Sequence, residues 1–207
     1  KKRINYSQFL DLCVIIKTML PEFLDIKTIY LILHVFGAIL GAGGAFMSDI
    51  MFFSTVKDGV INKEELRFMQ LGGKVVWTGL LILIISGILL FYTDPVLYSN
   101  SQKFLVKVSI VVIILINGII FHTIHMPHLK KHQEIEFAKS KTFRDRANSV
   151  MISGAISMTS WIATIILGML KIVPYSYLQI LSVYLGFLAV AMIGALLMKN
   201  KILFSNQ

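Results

Sequence analysis

The sequence predicts an all-α integral membrane helical bundle of five transmembrane helices, preceded by an N-terminal interfacial amphipathic helix. Three observations predict it. Five stretches (29–55, 68–92, 104–126, 150–170 and 175–198) are apolar and nearly free of charge. Each matches or exceeds the ~20 apolar residues a helix needs to cross the hydrocarbon core. Hydrophobic residues make up 56% of the chain and mean hydropathy is +0.76, which suits lipid better than water. The apolar runs are continuous rather than alternating, so helices, not a closed barrel, satisfy the backbone in lipid.

With 207 residues and five spans, the chain is read as a single membrane domain, 1–207, with no room for a separate soluble one. It divides into an interfacial segment (1–26), spans one to three (27–127), a basic loop (128–146), and spans four and five (147–207). Lys1-Lys2-Arg3 is similar to the basic region of a signal peptide. The apolar run that follows carries Asp11 and Lys17 and meets no small-residue cleavage site, so it is read as mature sequence. Phe9, Leu12, Ile16 and Met19 share one helical face, and Pro21 ends the pattern. That stretch is short and charged for a span; it suits a helix lying at the interface, with a re-entrant piece as the alternative.

Net charge is +9. The basic residues flank the spans, which points to topology and anionic lipid headgroups rather than to nucleic acid. Lys57, Lys63 and Arg67, the run Lys130, Lys131, Lys139, Lys141, Arg144 and Arg146, and Lys199 with Lys201 fall on one side of a five-span topology. Short turns around Asp94-Pro95 and 171–174 fall on the other. The positive-inside rule therefore places the 128–146 loop in the cytoplasm and the N-terminus outside, in a bacterial or archaeal cytoplasmic membrane. Cys13 is the single cysteine, which excludes an internal disulfide and a multi-cysteine metal site.

Span one carries His34, Gly37, Gly41, Gly44 and Ser48 at steps of three and four, on one face. Small residues let helix backbones approach closely, and Gly37 with Gly41 forms a GxxxG. The same face also suits a groove beside His34 for a flat cofactor. An ionisable residue at membrane depth is a functional candidate, and a cross-helix hydrogen bond is the structural alternative for His34. Span four has a stripe of Ser153, Ser157, Ser160 and Thr164, read as interhelical hydrogen bonding or back-bonding. Trp77 and Trp161 are read as packing or interface anchors.

The other histidines, His122, His125, His128 and His132, lie together around Pro127, which is expected to kink the helix. Imidazoles at this density suit zinc, copper or iron. His122 and His125, deeper in the span, are the metal or haem candidates. His128 and His132 are expected at headgroup level beside Lys130 and Lys131. His34 and His122 lie near opposite ends of their helices, roughly 20 Å apart along the membrane normal at ~1.5 Å per residue. One haem iron cannot take both. Lys107, at the depth of His34, suits snorkelling, a haem propionate, or a sixth iron ligand. Asp49 and Lys74 share the depth of His122; a salt bridge and a proton or substrate path are the two readings.

Leu33-His34 followed by a glycine-rich apolar run resembles the first helix of small membrane proteins related to copper-resistance protein D and of the HemJ-type protoporphyrinogen oxidases. Span three resembles the latter in a lysine near its start (Lys103 or Lys107) and the pair Phe121-His122 near its end. The likeness covers spans one to three, about half the chain. It implies b-type haem in a helical membrane bundle. Gly41 stands where that family carries a tryptophan, and Ser48-Asp49 where it carries an arginine, so haem binding is the expectation rather than one particular reaction.

The resulting expectation is haem b ligated by His34, with Gly37, Gly41 and Lys107 beside it, in transmembrane redox or electron transfer. A second haem or metal at His122 and His125 would make a path between the two membrane faces. The alternatives are a copper or other metal permease, using His34, Met47, Met51, His122, His125 and Met126, and a non-catalytic membrane anchor subunit. The expected surroundings are the lipid bilayer, with a redox partner subunit, a quinone or a second copy of the chain left open. No catalytic residue is assigned. There is no Ser-His-Asp arrangement or phosphate loop in a suitable context, and Gly41-Ala42-Gly43-Gly44 lies inside a span. An enzymatic role, if any, would be that of a membrane oxidoreductase.

Overall fold

The structure is a computed structural model that describes residues 25–58, 60, 62–131 and 141–204. The expected N-terminal amphipathic helix, His132 and the middle of the basic loop lie outside the described residues. The described chain is helical without strands: α1 (Ile26–Asp58), α2 (Lys63–Thr93), the short α3 (Pro95–Ser99), α4 (Gln102–Ile120), a π-helical turn (Phe121–His125), α5 (Met126–Lys131), α6 (Lys141–Met169) and α7 (Tyr177–Phe204). Five stretches of it are long and apolar enough to cross a membrane: Ile26–Phe52, Lys63–Thr93, Gln102–Lys131, Asn148–Met169 and Tyr177–Leu197. The protein is an integral membrane protein of the all-α bundle class. We call the end with Asp94 and Pro174 the turn end, and the end with α5 and the start of α6 the basic end.

Local chemistry starts the helices. At the head of α1 the Thr28 amide donates to Asp25 Oδ1 at 2.7 Å. Hydrogen bonding from the Thr28 side chain and amide holds the Asp25 carboxyl below its ordinary range. Asn62 precedes α2, and Glu65 Oε2 accepts from its backbone N–H at 2.9 Å. Asp94 accepts from the Leu97 amide at 3.0 Å, with Pro95 opening α3.

The closest helix pair is α1 with α2. The small face of α1 meets a matching one on α2. A Cβ on Gly37 would lie 2.7 Å from the Leu83 nitrogen and 2.9 Å from the Gly79 oxygen, and one on Gly79 would run into the Gly41 backbone. Such gaps tolerate only glycine, and dispersion between two backbones holds the pair where lipid supplies no hydrophobic drive. From α6, Trp161 fills the remaining hollow: its indole occupies the space above Gly41, and it is 1% exposed. The face read as a groove for a flat cofactor is therefore filled at Gly37 and Gly41 by Gly79, Leu83 and Trp161.

The other helices assemble around α6, which contacts α1, α4 and α7. Asn117 and Ser153 bond reciprocally across α4 and α6, with Asn117 Nδ2 donating to the Ser153 carbonyl at 3.0 Å and Ser153 Oγ to Asn117 Oδ1 at 2.9 Å. Ser160 Oγ back-bonds to the Ile156 carbonyl and pairs with the Tyr184 hydroxyl of α7 at 2.8 Å. Thr164 back-bonds to the Trp161 carbonyl at 2.8 Å. Both readings of the span-four stripe are thus realised. By contrast, α2 and α4 meet through side chains rather than backbone: the Phe91 and Phe104 rings stack at 5.8 Å, and Trp77 lies against Gly118.

Pro127 acts one turn earlier than its own position. The residues before it form a π turn, in which the Met126 N–H reaches back to the Phe121 carbonyl. Proline offers no N–H and its ring crowds the preceding turn; the wider π turn accommodates both defects, and the helix continues to Lys131. Because it continues, His128 is 9% exposed and packed into the protein.

Gly79→Leu should disrupt the α1–α2 contact and destabilise the bundle by about 1–3 kcal/mol or more. Gly168→Leu, where an added Cβ meets nothing within 4 Å, should leave stability unchanged. Denaturant unfolding in mixed micelles compares them, and equal midpoints for the two variants would refute the close contact.

Candidate functional sites

Two polar constellations stand out in this apolar bundle. The first is at His34, towards the turn end. Its Nδ1 lies 3.1 Å from the Leu83 carbonyl oxygen and 3.2 Å from Ser86 Oγ, both on α2. Ser86 Oγ is also 2.6 Å from the Ile82 carbonyl and donates to it. A hydroxyl with its proton committed there presents only lone pairs to the histidine. Nδ1 therefore carries the imidazole proton and donates it towards α2, which leaves a lone pair on Nε2. Gly87 makes room for the ring: a Cβ at that position would come within 3.3 Å of His34 Cε1.

Lys107 of α4 belongs to the same region and is close enough for its charge to act on the His34 ring. It makes no hydrogen bond or ion pair among the described residues. Its neighbour one turn away does: Lys103 Nζ donates to the Leu170 carbonyl at 2.6 Å, tying α4 to the end of α6. Ser109 pairs with the Tyr177 hydroxyl at 2.9 Å. Those two contacts tie α4 to its neighbours at the turn end and do not involve Lys107.

The second constellation is a cavity of about 480 Å³ towards the basic end, lined from α1, α2, the α4–α5 segment and α6. Asp49, Lys74 and His122 all line it, with Trp77, Phe121 and Lys130. It lies between two apolar clusters, one containing Ala45 and Trp161 and the other containing Met69, Met126 and Met151. Asp49 Oδ2 and Ser48 Oγ are buried without a hydrogen-bond partner. The expected Asp49–Lys74 salt bridge does not form. Equal depth is not facing: Asp49 is directed at α6, where its Oδ1 lies 3.3 Å from the Cβ position of Gly154, and Lys74 is on a separate wall of the cavity.

Sequence position grouped His122 with His125, but the structure separates them. His122 is exposed and lines the cavity. His125 is 2% exposed, its Nδ1 has no partner, and its ring meets Phe121 edge-on at 5.9 Å. The π turn causes the divergence, since residues three apart on it are set differently from those on an α turn. Among the described residues no three His, Cys, Asp or Glu side chains come close enough to hold a metal ion. His34 and the Ser48–Asp49 wall are fourteen to fifteen positions apart on α1, or roughly 20 Å at 1.5 Å per residue, so the two constellations are separate sites.

Some participants were not singled out from the sequence. Gly72, Gly79 and Ser86 recur at intervals of seven on α2, a spacing that marks the face meeting α1. Gly154 and Asn117, isolated small or polar residues in apolar runs, flank the cavity.

If Asp49 and Lys74 act independently, a double-mutant cycle of Asp49→Asn and Lys74→Gln should be additive within about 0.5 kcal/mol. A coupling above about 1 kcal/mol in the same unfolding assay would show an ion pair. Comparison with protein-family models, curated proteins and solved structures finds no match to this chain.

Proposed function

We propose that this protein binds b-type haem through His34 and serves in transmembrane redox chemistry. The observation that carries the reading is the hydrogen bond from His34 Nδ1 to the Leu83 carbonyl. Metal-bound histidines characteristically donate their second ring nitrogen to a carbonyl or carboxylate, which fixes the tautomer and makes the ligating nitrogen more basic. A purely structural histidine in hydrocarbon would be expected to use both nitrogens, since an unsatisfied polar atom there is costly. Here one nitrogen is committed and the other is left with a lone pair.

His34 would hold the iron through Nε2, and Lys107 would hold a propionate by charge. With Gly37 and Gly41 occupied by packing, Gly87 rather than those two glycines makes room at the ligand. Bound there, haem would supply one-electron chemistry at a potential set by axial ligation and burial. The protein's own part is to orient the imidazole from α2, keep Nδ1 protonated, and exclude water with lipid-facing apolar residues such as Leu33 and Phe36. In this reading the basic end lies in the cytoplasm.

The purified protein should show a Soret band that His34→Ala removes or shifts while the bundle still inserts. Lys107→Ala should weaken haem retention less, because it removes a propionate contact and not an iron bond. A folded His34→Ala protein with full haem and an unchanged spectrum would overturn the assignment. In a Cys13→Ser background, an impermeant maleimide applied to intact cells should label Asn100→Cys and spare Lys131→Cys; the reverse pattern would invert the orientation.

A further inference from the structure

The cavity at the basic end is not used by the haem reading, and its chemistry restricts what it can hold. An anion would face the Asp49 carboxyl, whose buried Oδ2 has no donor. A cation would meet Lys74 and Lys130 on the lining. The lining is otherwise largely apolar, with the aromatic side chains Trp77 and Phe121 among it. A neutral, flat ligand carrying both hydroxyl donors and oxygen acceptors answers all of these groups together. The volume of about 480 Å³ falls within the ordinary range for a small-molecule site.

On the side between α2 and α4 the cavity is bounded by Trp77, whose Cζ2 lies 3.6 Å from the Gly118 Cβ position. A lipid-soluble molecule approaching between these two helices meets that side chain, not the glycine contact or the core around Trp161.

We propose that this cavity binds a quinol-class lipid. One ring hydroxyl donates to Asp49 Oδ2, the other oxygen accepts from Lys74 or the His122 ring, and the ring lies beside Trp77 and Phe121. Choosing a quinol among neutral ring ligands rests on the redox reading above; the orphaned acceptor and the aromatic lining do not. Gly73 supplies a clean block. It lines the cavity, and a Cβ there meets nothing within 4 Å, so Gly73→Leu places volume in the cavity without a backbone clash.

The test is tryptophan-fluorescence quenching by a short-chain ubiquinone and its quinol, with the full chain in lipid nanodiscs. Wild-type protein should show saturable quenching that Trp77→Phe largely removes. Gly73→Leu should weaken both forms by about tenfold or more, the equivalent of one strong lost contact. Asp49→Leu should weaken the quinol more than the quinone, because only the quinol has a hydroxyl to donate. The same titration on His34→Ala separates this inference from the haem reading: retained quinol binding in that variant supports the cavity whatever the fate of the Soret band. Loss of binding in His34→Ala, wild-type affinity in Gly73→Leu, or no saturable quenching would each overturn the proposal. So would native mass spectrometry showing the cavity held instead by an anionic phospholipid whose retention depends on Lys74 and Lys130.

Discussion

Everything in this bundle is referred to the place where two helix backbones touch. Gly37, Gly41 and Gly44 on α1 and Gly72 and Gly79 on α2 bring main chain against main chain. Neither helix can then rotate or slide without a clash, because no side chain intervenes to yield. That contact sets the height of Leu83 and Ser86 opposite His34, and it shapes the hollow above Gly41 that Trp161 fills. One steric constraint therefore positions the histidine and seats α6 on α1.

Hydrogen bonding is economical elsewhere. Hydroxyls return to their own helix, as at Thr123 and Thr164, reach a neighbouring helix, as at Ser153, or do both, as at Ser86, Ser109 and Ser160. Individual bonds of this kind contribute modestly in a membrane, about 0.6 kcal/mol on average. Against that background the unsatisfied atoms concentrate the functional questions. Asp49 Oδ2 and Ser48 Oγ border a cavity, whereas Trp161 Nε1 is unpaired where shape filling dominates.

The spans were legible because length and hydropathy govern them directly, and the ends observed fall within a few residues of those read from composition. The small face of α1 was legible as well, but its use was not. Deciding between a groove and a helix contact required the partner face, and the seven-residue spacing of Gly72, Gly79 and Ser86 on α2 supplies it. The acceptor for His34 was invisible in principle, since every residue carries a carbonyl and only packing selects that of Leu83. Asp49 and Lys74 were matched by depth alone, whereas pairing depends on azimuth. A distortion at Pro127 was legible, but the π turn that absorbs it and the burial of His128 beyond it were not, because both depend on how the helix packs.

That π turn has a further bearing on how the chain tolerates change. It holds one more residue than an α-helical path of the same length, so it acts as a phase shifter between the part of span three that packs on α6 and the part that reaches the basic end. Removing any one residue from Phe121–His125 would let an ordinary α-helix form over the same path. Five residues of a π turn cover nearly the same rotation as four of an α-helix, so Met126 and Leu129 would keep their place in the core. The same deletion in the regular helix before the turn would instead rotate everything beyond it by about 100°. The turn is thus a place where span three can lose a residue without losing its register.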